Sequence, residues 1–199
     1  METTDIDRIR AYVQEVLGPA GSHGLDHIER VTAMCERIGR IEHADMAILI
    51  PAALLHDIAR PLEKEQGIPH EQEGARMAEV FLTTLPYTAG DIPTIAHAIR
   101  AHRFRSTETP ATLEARILSD ADKLDAMGAV GIARTFMRAG EHRGTMDDAV
   151  RHFHEKLLNL SGLMYTNTGR VIAEERHALL SRFLAALNEE MDVCGDMRF

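Results

Sequence analysis

The chain has 199 residues, 45% of them hydrophobic and 27% charged, which is the balance of a globular protein able to bury a sizeable core in one domain. Its formal net charge of −9 argues against a general nucleic-acid binder, which shows a basic balance. It does not exclude a phosphate substrate, because Arg and Lys can be concentrated locally and a bound cation adds positive charge that the formal count omits.

Taken in chain order, the sequence predicts helices throughout. Ile6, Ile9, Val13, Val16 and Leu17 recur at helical spacing, and Gly18-Pro19 stops that helix. A loop from Ala20 to Leu25 leads into a second helix from about Asp26, with an apolar face of Ile28, Val31, Met34, Cys35 and Ile38. A third helix is expected from about Ala44 to Ala59, with a kink or boundary at Pro51, and Arg60-Pro61 should end it. The polar segment from Leu62 to Pro69 then reads as a loop over the site. A fourth helix covers about His70 to Leu85, and a fifth starts at Asp91-Ile-Pro93, where proline is tolerated in the first turn. After a loop from Arg103 to Pro110, a long helix from about Ala111 should continue or bend through Gly128 and Gly131. Helices near Met146–Leu160 and Arg170–Met191 complete the chain.

Strand-type alternation, repeats and low-complexity tracts are absent from the sequence, and no domain boundary is visible. The expectation is an all-α, single-domain bundle over residues 1–199, with a motif core at about 22–136 and C-terminal helices at 146–191 packed on it. No apolar stretch is long enough to span a bilayer. The start Met1-Glu-Thr-Thr-Asp-Ile-Asp7 lacks the basic start and apolar core of a signal peptide. Cys35 and Cys194 sit far apart without metal-type spacing, and Cys35 falls on an apolar face as a buried thiol. A cytoplasmic, reducing location follows as the expectation.

Chemistry concentrates at Leu54-Leu55-His56-Asp57-Ile58. This His-Asp pair follows the apolar run from Met46 to Leu55, which reads as a buried helix. A charged pair at the end of such a helix is costly unless compensated, and a metal ion would compensate it, since imidazole nitrogen and carboxylate oxygen are ligands that divalent first-row metals take. Upstream lies Ser22-His23-Gly24-Leu25-Asp26-His27-Ile28-Glu29-Arg30-Val31, and downstream Ser119-Asp120-Ala121-Asp122-Lys123-Leu124-Asp125-Ala126. The three stretches read His…His-Asp…Asp in that order, each on its own helix.

This ordered set resembles the HD superfamily of metal-dependent phosphohydrolases, and the resemblance extends over nearly the whole chain. It is nearest to the small stand-alone members that hydrolyse nucleotides, through His23 to Val31, Asp120 to Arg134, and Glu155-Lys-Leu-Leu158 followed by Met164-Tyr-Thr-Asn-Thr168. The resemblance implies His27, His56, Asp57 and Asp122 as metal ligands. Two imidazoles and two carboxylates suit Mn, Fe, Co, Ni or Zn better than Ca, and Mg can serve in turnover. Neighbours on a helix point about 100° apart, so His56 and Asp57 share an ion only if it lies between them near the helix end. The family motif places the ligand carboxylate directly before a basic residue, as in Asp122-Lys123. Asp120 and Asp125 compete for that role but read better as supporting or capping groups.

His70 and His102 resemble positions that add ligands in binuclear members and contact phosphate or orient water in single-metal members; the second role is preferred here. His23 is a candidate phosphate contact or acid. Arg30, Lys64, Arg103 and Lys123 form a candidate cationic clamp, and Glu63, Glu65 or Asp57 a candidate general base. His97 should lie on a different face from His102. His43, His142, His152, His154 and His177 read as surface or structural residues. The expected activity is metal-dependent hydrolysis of a nucleotide or related small phosphoester or phosphoanhydride. A cyclic-nucleotide phosphodiesterase and a non-catalytic metal or nucleotide sensor are the alternatives. The Gly-Tyr-Pro extension of cyclic-dinucleotide members is missing after His102, where Arg103-Phe-Arg-Ser106 stands. The partner expected is a small phosphorylated substrate, with no nucleic acid and no membrane; an oligomer is compatible with these features.

Overall fold

The computed structural model describes residues 4–18, 24–104 and 106–195, with side chains through residue 192. Among these the chain is all α, with no strand, and no helix is long and apolar enough to cross a membrane. The helices are α1 (Asp5–Leu17), α2 (Leu25–Glu42), α3 (Met46–Leu55), α4 (Arg60–Gln66), α5 (His70–Leu82), α6 (Asp91–Ala101), α7 (Leu113–Asp125), α8 (Gly128–Glu141), α9 (Met146–Glu155) and α10 (Asn167–Gly195). The chain divides into two compact units, Met1–Lys123 and Leu124–Phe199.

In the first unit α3 is the central element. Ile48, Leu49, Pro51, Ala52, Ala53, Leu54 and Leu55 are all buried, as a helix apolar on every face must be. Asp45 caps its start by accepting from the Ala47 amide at 2.9 Å, which satisfies one of the amides a helix start leaves unpaired. It packs on α1, α2, α5 and α6. The contact with α2 is close because Gly39 has no side chain: a Cβ there would meet Leu49 Cδ2 at 2.6 Å. α1 contributes Ile9 and Val13 to the core, and Tyr12 stacks on Phe81 of α5 with ring centroids 4.0 Å apart.

Two sequence expectations are corrected here. No helix boundary falls at Pro51, and α3 ends at Leu55 rather than Ala59, in a turn at residues 56–59. The segment expected as a polar loop instead contains α4, which begins at Arg60 with Pro61 in its first turn, where a missing amide hydrogen costs nothing.

In the second unit, α8 packs on both α9 and α10. Phe136, Phe153 and Phe183 bring their ring centroids to about 6 Å of one another, within the range of favourable aromatic pairs. Leu157, Leu160, Met164, Ala173, Leu180 and Leu184 are buried as well. α8 starts at Gly128, whose φ of +69° suits glycine. A Cβ at Gly131 would lie 2.2 Å from the Ala126 carbonyl oxygen, so α8 approaches the turn before it through a glycine. The long helix expected across Gly128 and Gly131 is therefore two helices. Thr4 with Asp7 and Thr145 with Asp148 form capping boxes at the starts of α1 and α9.

Candidate metal centre

The His-Asp pair sits where α3 ends. His56 is the C-terminal cap of α3, and the chain then turns tightly, with Ile58 and Arg60 amides bonded to the carbonyls three residues back, Leu55 and Asp57. The turn releases the two side chains from strict helical spacing. His56, Asp57, His70 and His102 are completely buried and His27 nearly so. α2 supplies His27, the start of α5 supplies His70, and the end of α6 supplies His102.

The orientation of three of the rings is fixed through Nδ1. His56 Nδ1 donates to the Ala53 carbonyl at 2.7 Å, and His102 Nδ1 to the Ile99 carbonyl at 2.6 Å. Both rings thus satisfy carbonyls that a helix end leaves unpaired. His70 Nδ1 donates to Glu63 Oε2 at 2.9 Å. A carbonyl or carboxylate only accepts, so each of these rings carries its proton on Nδ1 and presents Nε2 inward. Burial pushes the His56 imidazole down to about 3, against the opposing pull of Asp57, which keeps its Nε2 lone pair available.

The four Nε2 atoms surround Asp57. Oδ2 lies 3.6 Å from His27 Nε2 and 3.8 Å from His56 Nε2, while Oδ1 lies 3.2 Å from His70 Nε2 and 3.6 Å from His102 Nε2. The two oxygens of one carboxylate therefore face two different histidine pairs. His27 Nε2 and His56 Nε2 approach to 3.3 Å. His70 Nε2 and His102 Nε2 are buried with no hydrogen-bond partner among the described residues, a costly condition without a ligand. His27, His56 and Asp57 can offer ligand atoms to one metal ion, and Asp57, His70 and His102 to another. The donor set, imidazole nitrogen with carboxylate oxygen, fits a divalent transition metal.

Asp122 Oδ1 lies 3.5 Å from His27 Nε2, and its side chain is 20% exposed. Burial works to raise its carboxyl, but the hydrogen bond and charge of His27 and the charges of His102 and His56 outweigh it and hold it well below the ordinary carboxylate range. Asp120, by contrast, is completely buried. Asp125 is bonded to Arg134 at 2.5 Å. The ammonium of Lys123 is buried and donates to Ser119, at 3.0 Å to the carbonyl and 2.6 Å to Oγ. Burial lowers its pKa, with Asp120 and Asp122 opposing. Arg30 pairs with Asp26 at 2.7 Å. His23 lies outside the described residues.

At the edge of the cluster the sequence reasoning missed Arg60 and Glu71. Arg60 Nε stands 2.9 Å from Asp57 Oδ1, one helical turn away. Burial works to lower its pKa, but the charge and hydrogen bond of Asp57 together with the charges of Asp122 and Glu63 outweigh it and raise it. Arg103 donates to Glu63 at 2.8 Å and to Glu71 at 3.0 Å. Burial alone would raise the Glu63 carboxyl, but His70, Arg103 and Arg60 together hold it below its ordinary value. For Arg60 the available signal was its three-residue spacing from Glu63, which aligns the two on one face of α4. Glu65 is exposed. His97 is separate from the cluster: its Nδ1 donates to Glu108 at 2.6 Å and its Nε2 accepts from the Ala111 amide at 3.0 Å, fastening the loop after α6.

The chain is similar over most of its length to several known proteins. The chain is 34% identical to YpgQ of Bacillus subtilis, an uncharacterized protein, over 96% of this chain and 95% of that one. A crystal structure of Bacillus subtilis YpgQ in complex with ADP superposes with a TM-score of 0.78 at 34% identity, covering 94% of this chain and 97% of that one. An HD-superfamily hydrolase from Bacillus thuringiensis superposes with a TM-score of 0.75 at 31% identity, covering 94% and 96%. A predicted HD superfamily hydrolase from an uncultured Thermotogales bacterium does so with a TM-score of 0.72 at 32% identity, covering 92% and 91%. Residues 24–127 match the HD domain, and the chain belongs to that family, as an HD superfamily hydrolase.

Proposed function

We propose that the protein is a metal-dependent phosphohydrolase that acts on nucleotides, with nucleoside triphosphates as the first substrates to test. The observation that carries the reading is Asp57, whose two buried oxygens face the His27–His56 pair and the His70–His102 pair. A carboxylate set among inward-facing imidazole nitrogens is a ligand set, and His27, His56, Asp57 and Asp122 would hold the more tightly bound ion. A divalent ion bound there supplies Lewis acidity at a phosphoryl oxygen and makes water a nucleophile at neutral pH. The nucleotide preference is supported by the similarity to YpgQ, whose structure was determined with ADP.

The protein's own groups would contribute positioning and charge, which dominate in phosphoryl transfer. His56 and His102 keep their protons on Nδ1 by donating to main-chain carbonyls, so the faces turned to the reaction stay free of hydrogen. An ion balanced by two carboxylates leaves little positive charge for a polyphosphate. Arg103, Arg60, Lys123 and Arg30 would supply it; Arg60 stands 2.9 Å from Asp57 and Arg103 3.0 Å from Glu71. With 5% aromatic residues and no tryptophan, a base-stacking platform is poorly supplied, so ribose and phosphates would be read more than the base.

The test is a panel of nucleoside mono-, di- and triphosphates, cyclic nucleotides and simple phosphomonoesters, assayed with divalent metal while phosphate and pyrophosphate release are followed separately. Turnover of a nucleoside phosphate that needs metal supports the reading. Activity confined to cyclic nucleotides would replace it with a phosphodiesterase, and metal uptake without any turnover would replace it with a sensor.

A further inference from the structure

We propose that Glu63 is a positioning residue: it fixes the ring of His70 and gathers Arg60 and Arg103 at one edge of the site. The inference rests on the reading of the metal centre given above.

Glu63 lies on α4, a short helix with no buried residue. α4 therefore adds nothing to the core, and what it places is side chains. Glu63 Oε2 accepts from His70 Nδ1 at 2.9 Å and from Arg60 Nη1 at 3.0 Å, and Oε1 accepts from Arg103 Nη1 at 2.8 Å. The three donors come from the start of α5, from one turn earlier on α4, and from the loop after α6. One carboxylate thus joins three segments that meet at Asp57. Its two oxygens are engaged by donors already, which suits it to hold groups rather than to take a proton from water.

The consequence for His70 is specific. Its Nε2 can present a lone pair toward Asp57 only while the proton stays on Nδ1, and Glu63 is the close acceptor there. Glu71 Oε2 stands farther from the same nitrogen, at 3.4 Å, and also receives Arg103. Removing the Glu63 carboxylate leaves the His70 proton free to move to Nε2, where Asp57 Oδ1 lies 3.2 Å away. Carboxylates that orient a ligand histidine in this way are worth about 10–100-fold in metal affinity or activity. Glutamine at this position keeps one acceptor oxygen for His70 Nδ1 and nearly the same shape, gives up the other oxygen to an amide nitrogen that cannot accept from Arg103, and cannot act as a base, so it separates positioning of His70 from proton transfer.

The experiment compares the full chain with Glu63→Gln and Glu63→Ala, with Glu63→Thr as a substitute should the alanine variant prove unstable. Histidine 15N chemical shifts of the metal-free proteins, at mildly alkaline pH, report the tautomer of His70, assigned by loss of its signals in His70→Asn. Titration with manganese(II) alone and steady-state turnover follow. The expected result is a proton on Nδ1 in the wild type and Glu63→Gln, and on Nε2 or exchanging in Glu63→Ala. Turnover should fall on the order of 10–100-fold in Glu63→Ala and be largely recovered in Glu63→Gln. An unchanged tautomer in Glu63→Ala, or equal loss of turnover in the two variants, would overturn the proposal. Failure of the wild type to take up manganese would instead sink the metal-centre reading. The tautomer measurement needs no metal, so the two failures remain distinct.

Discussion

Asp57 Oδ1 lies 3.2 Å from His70 Nε2, although one residue sits in the turn after α3 and the other at the start of α5, and neither atom can reach water. Proximity of a carboxylate oxygen to an imidazole nitrogen that makes no hydrogen bond has a clear physical use if a cation lies close to both. The same carboxylate pairs with Arg60 at 2.9 Å. Asp57→Ala is therefore expected to lose metal uptake and turnover together, and to leave the Arg60 guanidinium without its nearest carboxylate. Circular dichroism and metal content on the same sample check this. Retained metal with lost turnover would make Asp57 a base rather than a ligand.

Asp122 and Asp120 should fail in different ways. Asp122 reaches His27 and is partly exposed, whereas Asp120 is completely buried and its charge acts on buried Lys123. Asp122→Ala is expected to abolish activity at little cost in stability. Asp120→Ala should keep a measurable part of its activity and lose about 3–5 kcal/mol of stability, the range for uncovering a buried charge. Parallel rates and urea unfolding decide, and the opposite ranking of rates would put the ligand at Asp120.

His70→Ala and His102→Ala are expected to lower turnover while the tightest ion stays bound, because both rings face Oδ1 of Asp57 and the His27–His56 pair faces Oδ2. Metal titration distinguishes substrate or water contacts from ligands of a weaker second ion. If either change empties the tight site, the assignment of ligands to that site is wrong.

How much of this could be read from the sequence follows from where hydrophobic periodicity exists. α2 and α9 begin within a residue of their expected starts, because each carries a clear apolar stripe, to which α9 adds the Thr145–Asp148 capping box. That His27, His56, Asp57 and Asp122 come close together could be read, since each lies beside an apolar run that forms buried helix. α4 was not, because none of its residues is buried and so it has no stripe to read. With α4 went the role of Arg60, while that of Glu71, on α5, depends on a contact with Arg103, far away in sequence. The separation of α7 from α8 was also hidden, because a glycine can sit inside a helix; here the extended backbone of Met127 and the φ of +69° at Gly128 part the two.

Cys35 is fully buried, and burial, followed by the charges of Asp122 and Asp120, raises its thiol far above the ordinary range. The thiolate is the reactive form, so Cys35 should resist alkylation in the folded protein at neutral and mildly alkaline pH and react once the protein is unfolded. Peptide mapping after iodoacetamide treatment checks it; fast native labelling would mean that α2 opens readily.

Phe153 anchors the aromatic cluster of the second unit and is completely buried. Phe153→Ala should cost about 3–5 kcal/mol through lost burial and the cavity left behind. Chemical denaturation measures it, and a cost under about 1 kcal/mol would show that the cluster is loosely packed.

The central claim is a metal centre built around Asp57. It is tested most directly by elemental analysis of the full-length protein, purified without added metal and again after incubation with manganese(II), beside the Asp57→Ala and His56→Ala variants. The account predicts at least one divalent transition-metal ion per folded chain in the wild type, and none held tightly by either variant. A folded wild-type protein that takes up no divalent metal even when supplied would contradict it.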